Sequence, residues 1–276
     1  IGGGALFAGF PPVYATLFSA FYIPIMLFLV LLIFRAVSIE FRSKEPMLWW
    51  RKMWDISYAT SSTLIAVLLG IVLGNVLLGL PLDGEGNFIG SWLQLLNPFA
   101  MMLGITTLAL FSMHGAIYLV MKTEDKLYDR LTRMVRRTTI FFVVSIIMLS
   151  FYTLLYIPRL SEHIKQDSWL FLLPVAMVLA IANITRQISK KNYLWAFLSS
   201  AFSMSLLLVI VAVELYPTLL YSSLDPANSF TIYNASASEK SLSILLLVAA
   251  IGVPLVLAYT TFVFWTFKGK VKLDEM

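Results

Sequence analysis

Seven long apolar runs, separated by short polar stretches, set the pattern of this chain: Val13–Phe34, Ile56–Leu80, Leu93–Met121, Thr138–Ile157, Ser168–Thr185, Leu194–Tyr216 and Leu242–Phe267. Each is long enough, as a helix, to cross the ~30 Å hydrocarbon core of a bilayer. Strands of a membrane barrel would be shorter and would alternate apolar with polar positions; these runs do neither. An eighth apolar run, Ile1–Phe10, is too short to span and stops at Pro11-Pro12. It reads as the remnant of a helix whose beginning is truncated, with Gly2-Gly3-Gly4 suited to tight packing. The predicted fold is an all-α polytopic transmembrane bundle. It is a single transmembrane domain over residues 1–276, with seven complete helices plus the tail of an eighth.

The polar stretches orient the bundle. Lys and Arg in alternate loops and the C-terminal tail total 17 on one side and 3 on the other. Short loops rich in Lys and Arg stay cytoplasmic. The C-terminus and the tail 268–276 are therefore expected in the cytoplasm, and the loops Pro81–Trp92 and Pro217–Ser241 outside.

Composition agrees. Hydrophobic residues make up 59% and charged residues 13% of the 276, against ~45–50% and ~25% in soluble domains. The net charge of +5 marks one membrane face and gives no reason to expect nucleic acid. The chain has no cysteine, which excludes disulfides, thiolate catalysis and iron–sulfur ligation. No phosphate loop, HExxH, nucleophile elbow or intramembrane carboxylate pair is present.

Few polar residues fall within or at the ends of the spans: Arg35, Asn75, Asn97, His114, Asn183 and Glu214. Such groups are costly in lipid and are functional by default. Position argues for duller roles. Glu214 lies near Pro217 and reads as an interfacial carboxylate; Arg35 reads as a snorkelling anchor at a cytoplasmic helix end. Asn75 and Asn97 read as interhelical hydrogen bonders or caps. His114 lacks an obvious second ligand, and Gly115 beside it suggests close helix approach. It is a packing histidine, or else a ligand or proton carrier.

The ordered succession "GGALFAGFPPVYATLFSAFYIPIMLFLVLLIFRAVSIEFRSK", "WRKMWDISYATSSTLIAVLLGIVLGNVLLGLPL", "LLNPFAMMLGITTLALFSMHGAIYLVMKT" and "PTLLYSSLDPANSFTIYNASASEKSLSILL" resembles subunit II of the cytochrome bd-type quinol oxidases. The likeness covers nearly the whole chain, though Phe141–Lys190 adds little. It implies about nine helices in the full-length fold, in two four-helix groups plus a peripheral one. It also implies a complex of the bacterial or archaeal cytoplasmic membrane that oxidises quinol, reduces O₂ to water and builds a proton gradient. The b- and d-type haems would belong to the partner, subunit I; some members hold a structural quinone in subunit II, and small accessory subunits join some complexes. Arg35, Trp54, Asp55, Asn75, Asn97 and His114 become candidate proton-route or intersubunit polar residues. The family accepts Gln at the position of His114, which argues against an obligate ligand. The alternative reading is a secondary transporter, though no inverted repeat is evident.

The topology is directly testable, since the chain has no native cysteine. Single cysteines replacing Gly84 and Lys270 are expected to react with a membrane-impermeant thiol reagent from opposite faces. Labelling of both from outside contradicts the orientation.

Overall fold

The computed structural model describes residues 2–267 and 269. Most of the 268–276 tail, including the three lysines counted at Lys268, Lys270 and Lys272, lies outside the described residues. The helices are α1 (Gly2–Gly9), α2 (Pro11–Ala20), α3 (Tyr22–Arg42), α4 (Leu48–Leu78), α5 (Pro98–Lys122), α6 (Asp125–Tyr156), α7 (Glu162–Gln166), α8 (Leu172–Ser189), α9 (Tyr193–Leu215) and α10 (Glu239–Thr266). Among the described residues seven segments are long and apolar enough to cross a membrane, and the protein is a multi-pass membrane protein.

The first span differs from the expected Val13–Phe34; it is Tyr22–Arg42. The cause is Pro24. A proline inside a helix has no N–H to donate and its ring crowds the carbonyl four residues back, which is that of Ala20, the last residue of α2. The ten-residue α2 is about 15 Å long, too short to span. The stretches expected as loops at one end are largely helical: α3 runs on to Arg42, α4 begins at Leu48 and α6 at Asp125. Hydropathy marks the part of a helix that sits in hydrocarbon, while Lys, Arg and Glu are good helix formers and carry the helix beyond it.

Consecutive helices α3 to α6 pack as antiparallel neighbours; α9 lies against α5 and α8, and α8 also meets α6. The main core joins Met113 and Ile117 of α5, Phe142 of α6, Ile184 of α8 and Ala196 of α9. The α4–α5 contact brings backbone against backbone. A Cβ on Gly70 would lie 2.6 Å from the Gly104 Cα, and one on Gly74 would lie 2.7 Å from the Ala100 Cα. Gly70 and Gly74 form the small-xxx-small spacing that lets membrane helices touch backbone to backbone. The glycines flagged in the sequence do not play this part: nothing lies within 4 Å of a Cβ on Gly2, Gly3, Gly4 or Gly115.

The loops poor in Lys and Arg form one layer at one end. A second core there joins Val13, Ala20 and Phe21 to Leu80, Leu82, Leu95, Leu220 and Ala235. Thr218–Leu220 (β1) pairs antiparallel with Phe230–Thr231 (β2). The Thr16 hydroxyl donates to the Gly86 carbonyl at 2.8 Å, and the Ala237 N–H to the Gly9 carbonyl at 2.8 Å. Helix α10 has no buried residue and meets α1, where Gly9 lies against Leu242 and Leu245.

Gly74→Leu is expected to force α4 from α5 and to lower stability by about 1–3 kcal/mol or more, the range for overpacking. Detergent or thermal unfolding of the purified protein measures this. Gly84→Leu, where nothing lies within 4 Å, is the matched control; equal behaviour of the two variants contradicts the backbone-contact reading.

Candidate functional site

The six sequence candidates fall in three separate places. At the Lys- and Arg-rich end, α3 and α4 carry Arg35, Trp54 and Asp55. Asp55 accepts from Arg42, Nε to Oδ1 at 2.6 Å and Nη2 to Oδ2 at 3.3 Å, a bidentate pair that closes the α3–α4 hairpin. Both side chains are about half exposed, so the pair contributes little net stability. Trp54 packs between Phe41 and Trp50, with ring centroids 5.5 and 5.7 Å away. Its Nε1 is buried and has no hydrogen-bond partner among the described residues.

Arg35 was expected at a helix end. It lies about 10 Å before the Arg42 end of α3, at 1.5 Å per residue. Its side chain is exposed, with the guanidinium 5.7 Å from the Tyr58 ring centroid. One turn on, the Ser38 hydroxyl lies 3.0 Å from that of Ser57 and ties the two helices together.

Asn75 and Asn97 meet at the opposite end. Asn75 is buried and donates to the carbonyls of Ile71 and Leu95, each at 2.8 Å. Its Oδ1 accepts from Asn97 Nδ2 at 2.9 Å. Asn97 is the N-cap of α5, its Oδ1 accepting from the Ala100 N–H at 2.9 Å ahead of Pro98. The two amides thus join the last turns of α4 to the first turn of α5.

His114 faces α9. Its Nδ1 lies 2.8 Å from Ser200 Oγ, and its ring stacks on Phe197 with centroids 4.6 Å apart. The Ser200 hydroxyl donates to the Phe197 carbonyl at 2.8 Å. Its proton is therefore committed, and the network assigns the histidine proton to Nδ1, donating to Ser200. The other histidine of the sequence, His163, lies on α7. Among the described residues no group of three or more His, Asp or Glu side chains could hold a metal ion.

One position went unnoticed in the sequence, and a second was read only as interfacial. Arg159, counted only as a loop charge, donates through Nη2 to the carbonyls of Leu77 at 2.5 Å and Leu78 at 3.3 Å. It thereby caps the C-terminal end of α4, where a cation is favoured. Its guanidinium lies 4.0 Å from the Tyr221 ring centroid. Burial lowers its pKa, an effect opposed by Tyr221, Glu162 and Glu214. The available signal was an arginine in one of the loops poor in Lys and Arg. The second is Glu214, expected as an interfacial carboxylate. It lies at that end of α9 but is only 5% exposed, with Oε1 accepting from the Ile164 N–H at 3.4 Å. It lines a cavity of about 660 Å³ bounded by α5, α6, α8 and α9. In the 81–92 loop, Asp83 accepts from the Asn87 and Glu85 N–H groups, at 2.8 and 3.0 Å. The Asn87 N–H is the main cause of its lowered pKa.

The chain is similar to known proteins along nearly its whole length. It is 28% identical to the cytochrome bd-I ubiquinol oxidase subunit 2 of Escherichia coli K12, covering 99% of this chain and 80% of that one. It is 31% identical to a probable cytochrome oxidase subunit 2 of Haemophilus influenzae, covering 98% and 79%. It is 28% identical to the cytochrome bd ubiquinol oxidase subunit 2 of Bacillus subtilis, covering 99% and 80%. Its fold matches a chain of the bd oxidase structure from Geobacillus thermodenitrificans with a TM-score of 0.69 at 16% identity, over 92% of this chain and 81% of that one. The model of the cytochrome bd terminal oxidase subunit II family matches residues 1–267, and the chain belongs to that family.

Proposed function

We propose that this chain is the haem-free membrane subunit of a terminal quinol oxidase, in which subunit I carries the haems, oxidises quinol and reduces O₂. The family match over residues 1–267 carries this reading. No quinone is assigned to this chain. The haems are given to subunit I on the strength of the family likeness, and His114, which donates to Ser200 through Nδ1 and stacks on Phe197, is read as a packing residue. The chain's work is to hold the partner and to bound a proton route between the subunits. Arg35 supports the second role. Its exposed side chain stands where α3 leaves its apolar stretch, about two turns from the helix end, and offers a fixed fork of five donors to water or a partner carboxylate at an intersubunit face. The 17-to-3 division of Lys and Arg, with the poor loops gathered in one layer, supports a cytoplasmic C-terminus.

Co-expression with a haem-protein gene adjacent to this one tests the assignment. A red complex with high-spin and chlorin-type absorption bands is expected; a colourless monodisperse protein that binds a solute contradicts it. Within that complex, Arg35→Ala is expected to lower oxidase turnover more than haem content. Arg35→Lys is expected to restore turnover only in part, since an ammonium cannot reproduce the planar five-donor fork. Normal turnover in the Ala variant reduces Arg35 to an anchor.

His114→Gln keeps a donor and is expected to leave every haem band intact. His114→Leu removes a hydrogen bond of the class worth ~0.6 kcal/mol on average within membranes, and a modest loss of stability is expected. Loss of one haem band in the assembled Gln variant contradicts this reading of His114.

A further inference from the structure

We infer that the cavity beneath Glu214 is a specific site for an ethanolamine phospholipid, with the ammonium on Glu214, the phosphate on Lys165 and one acyl chain between α5, α6, α8 and α9. At about 660 Å³ the cavity is of ligand size, within the ~300–1,000 Å³ range of small-molecule sites. Its walls are apolar, with Leu103, Ile146, Met177 and Leu207 contributed by four different helices. Its rim includes Leu154 and Phe171, which are 55% and 60% exposed on the outside of the bundle. The cavity is therefore open to the exposed side of the bundle, where an acyl chain can enter sideways. From Glu214 to Leu207 the wall of α9 descends about 10 Å, placing the chain below the head group as in a bilayer leaflet.

The polar end selects the head group. Glu214 is buried and faces the cavity, and a carboxylate accepts hydrogen bonds without donating them. Lys165, exposed and one residue beyond Ile164, whose N–H reaches Glu214, lines the same end and carries the opposite charge. Ser168 adds a hydroxyl there, while that of Ser161 donates to the Pro158 carbonyl at 2.9 Å. A cationic donor joined to an anionic acceptor, above a hydrocarbon chain, matches this arrangement in charge and order. An ethanolamine phospholipid has that form. A choline head has no N–H to offer, a glycerol head offers Glu214 neutral hydroxyl donors and no cation, and a quinone head carries carbonyl acceptors and no cation. Arg159 does not compete for the phosphate, because it is committed to the Leu77 and Leu78 carbonyls.

Mass spectrometry of lipids retained by the protein tests the inference, on whichever assembly the chain purifies in, after extensive washing in mild detergent. The wild type is expected to retain a single ethanolamine lipid per chain. Glu214→Gln, which still accepts from the Ile164 N–H, is expected to reduce that retention about tenfold, the size of losing one charged hydrogen-bond partner. Leu207→Trp fills the apolar part and is expected to abolish it. Each variant is compared with wild type by its elution and melting profiles. If Leu207→Trp fails to fold, the result rests on Glu214→Gln. Equal retention by wild type and Glu214→Gln overturns the inference, as does a wild type that retains no ethanolamine lipid. It is also overturned if the molecule lost from the variants is an isoprenoid quinone or a glycerol-headed lipid.

Discussion

Helices α4 and α5 meet along a line of backbone against backbone. Gly70 and Gly74 of α4 touch Gly104 and Ala100 of α5 with no room for a side chain between them. In lipid, apolar side chains gain nothing from leaving water, so helices associate through close packing and polar bonds. The α4–α5 seam supplies the first, and the Asn75–Asn97 pair at its end supplies the second. With those two helices fixed, α3 and α6 pack on their outer sides and α9 reaches α5 across the core.

The same constraint explains the layer at the Lys- and Arg-poor end. A helix ending in or near hydrocarbon leaves carbonyls and N–H groups that must be satisfied within the protein. Arg159 takes the last carbonyls of α4, and Asn97 caps the first turn of α5. Thr16 then ties α2 to the 81–92 loop. These bonds draw loops from distant parts of the chain together over one end of the bundle.

Much of this was legible in the sequence, and the failures have physical causes. Apolar run length located seven spans, because each must cover the hydrocarbon thickness. It misplaced the first by nine residues at its start, because it cannot distinguish a helix that crosses from one that Pro24 cuts short. Composition around Asn75 and Asn97 indicated hydrogen-bonding roles, but their meeting, 22 positions apart, depends on how α4 and α5 dock. Gly115 looked like a contact glycine and faces open space, because one glycine says nothing about which side of a helix has a neighbour. Arg159 and the Glu214 cavity depend on contacts across 82 and 50 positions, beyond any local pattern.

A bundle held by small residues and amide bonds, with its one intramembrane histidine turned to a serine, suits the proposed role of a scaffold beside a redox partner. The distribution of haem iron tests that account most directly. The purified complex is separated into its subunits under conditions that preserve haem ligation, and haem is measured on each chain. The account predicts all haem with the partner and none with this chain. Haem that stays with this chain in fixed proportion contradicts it.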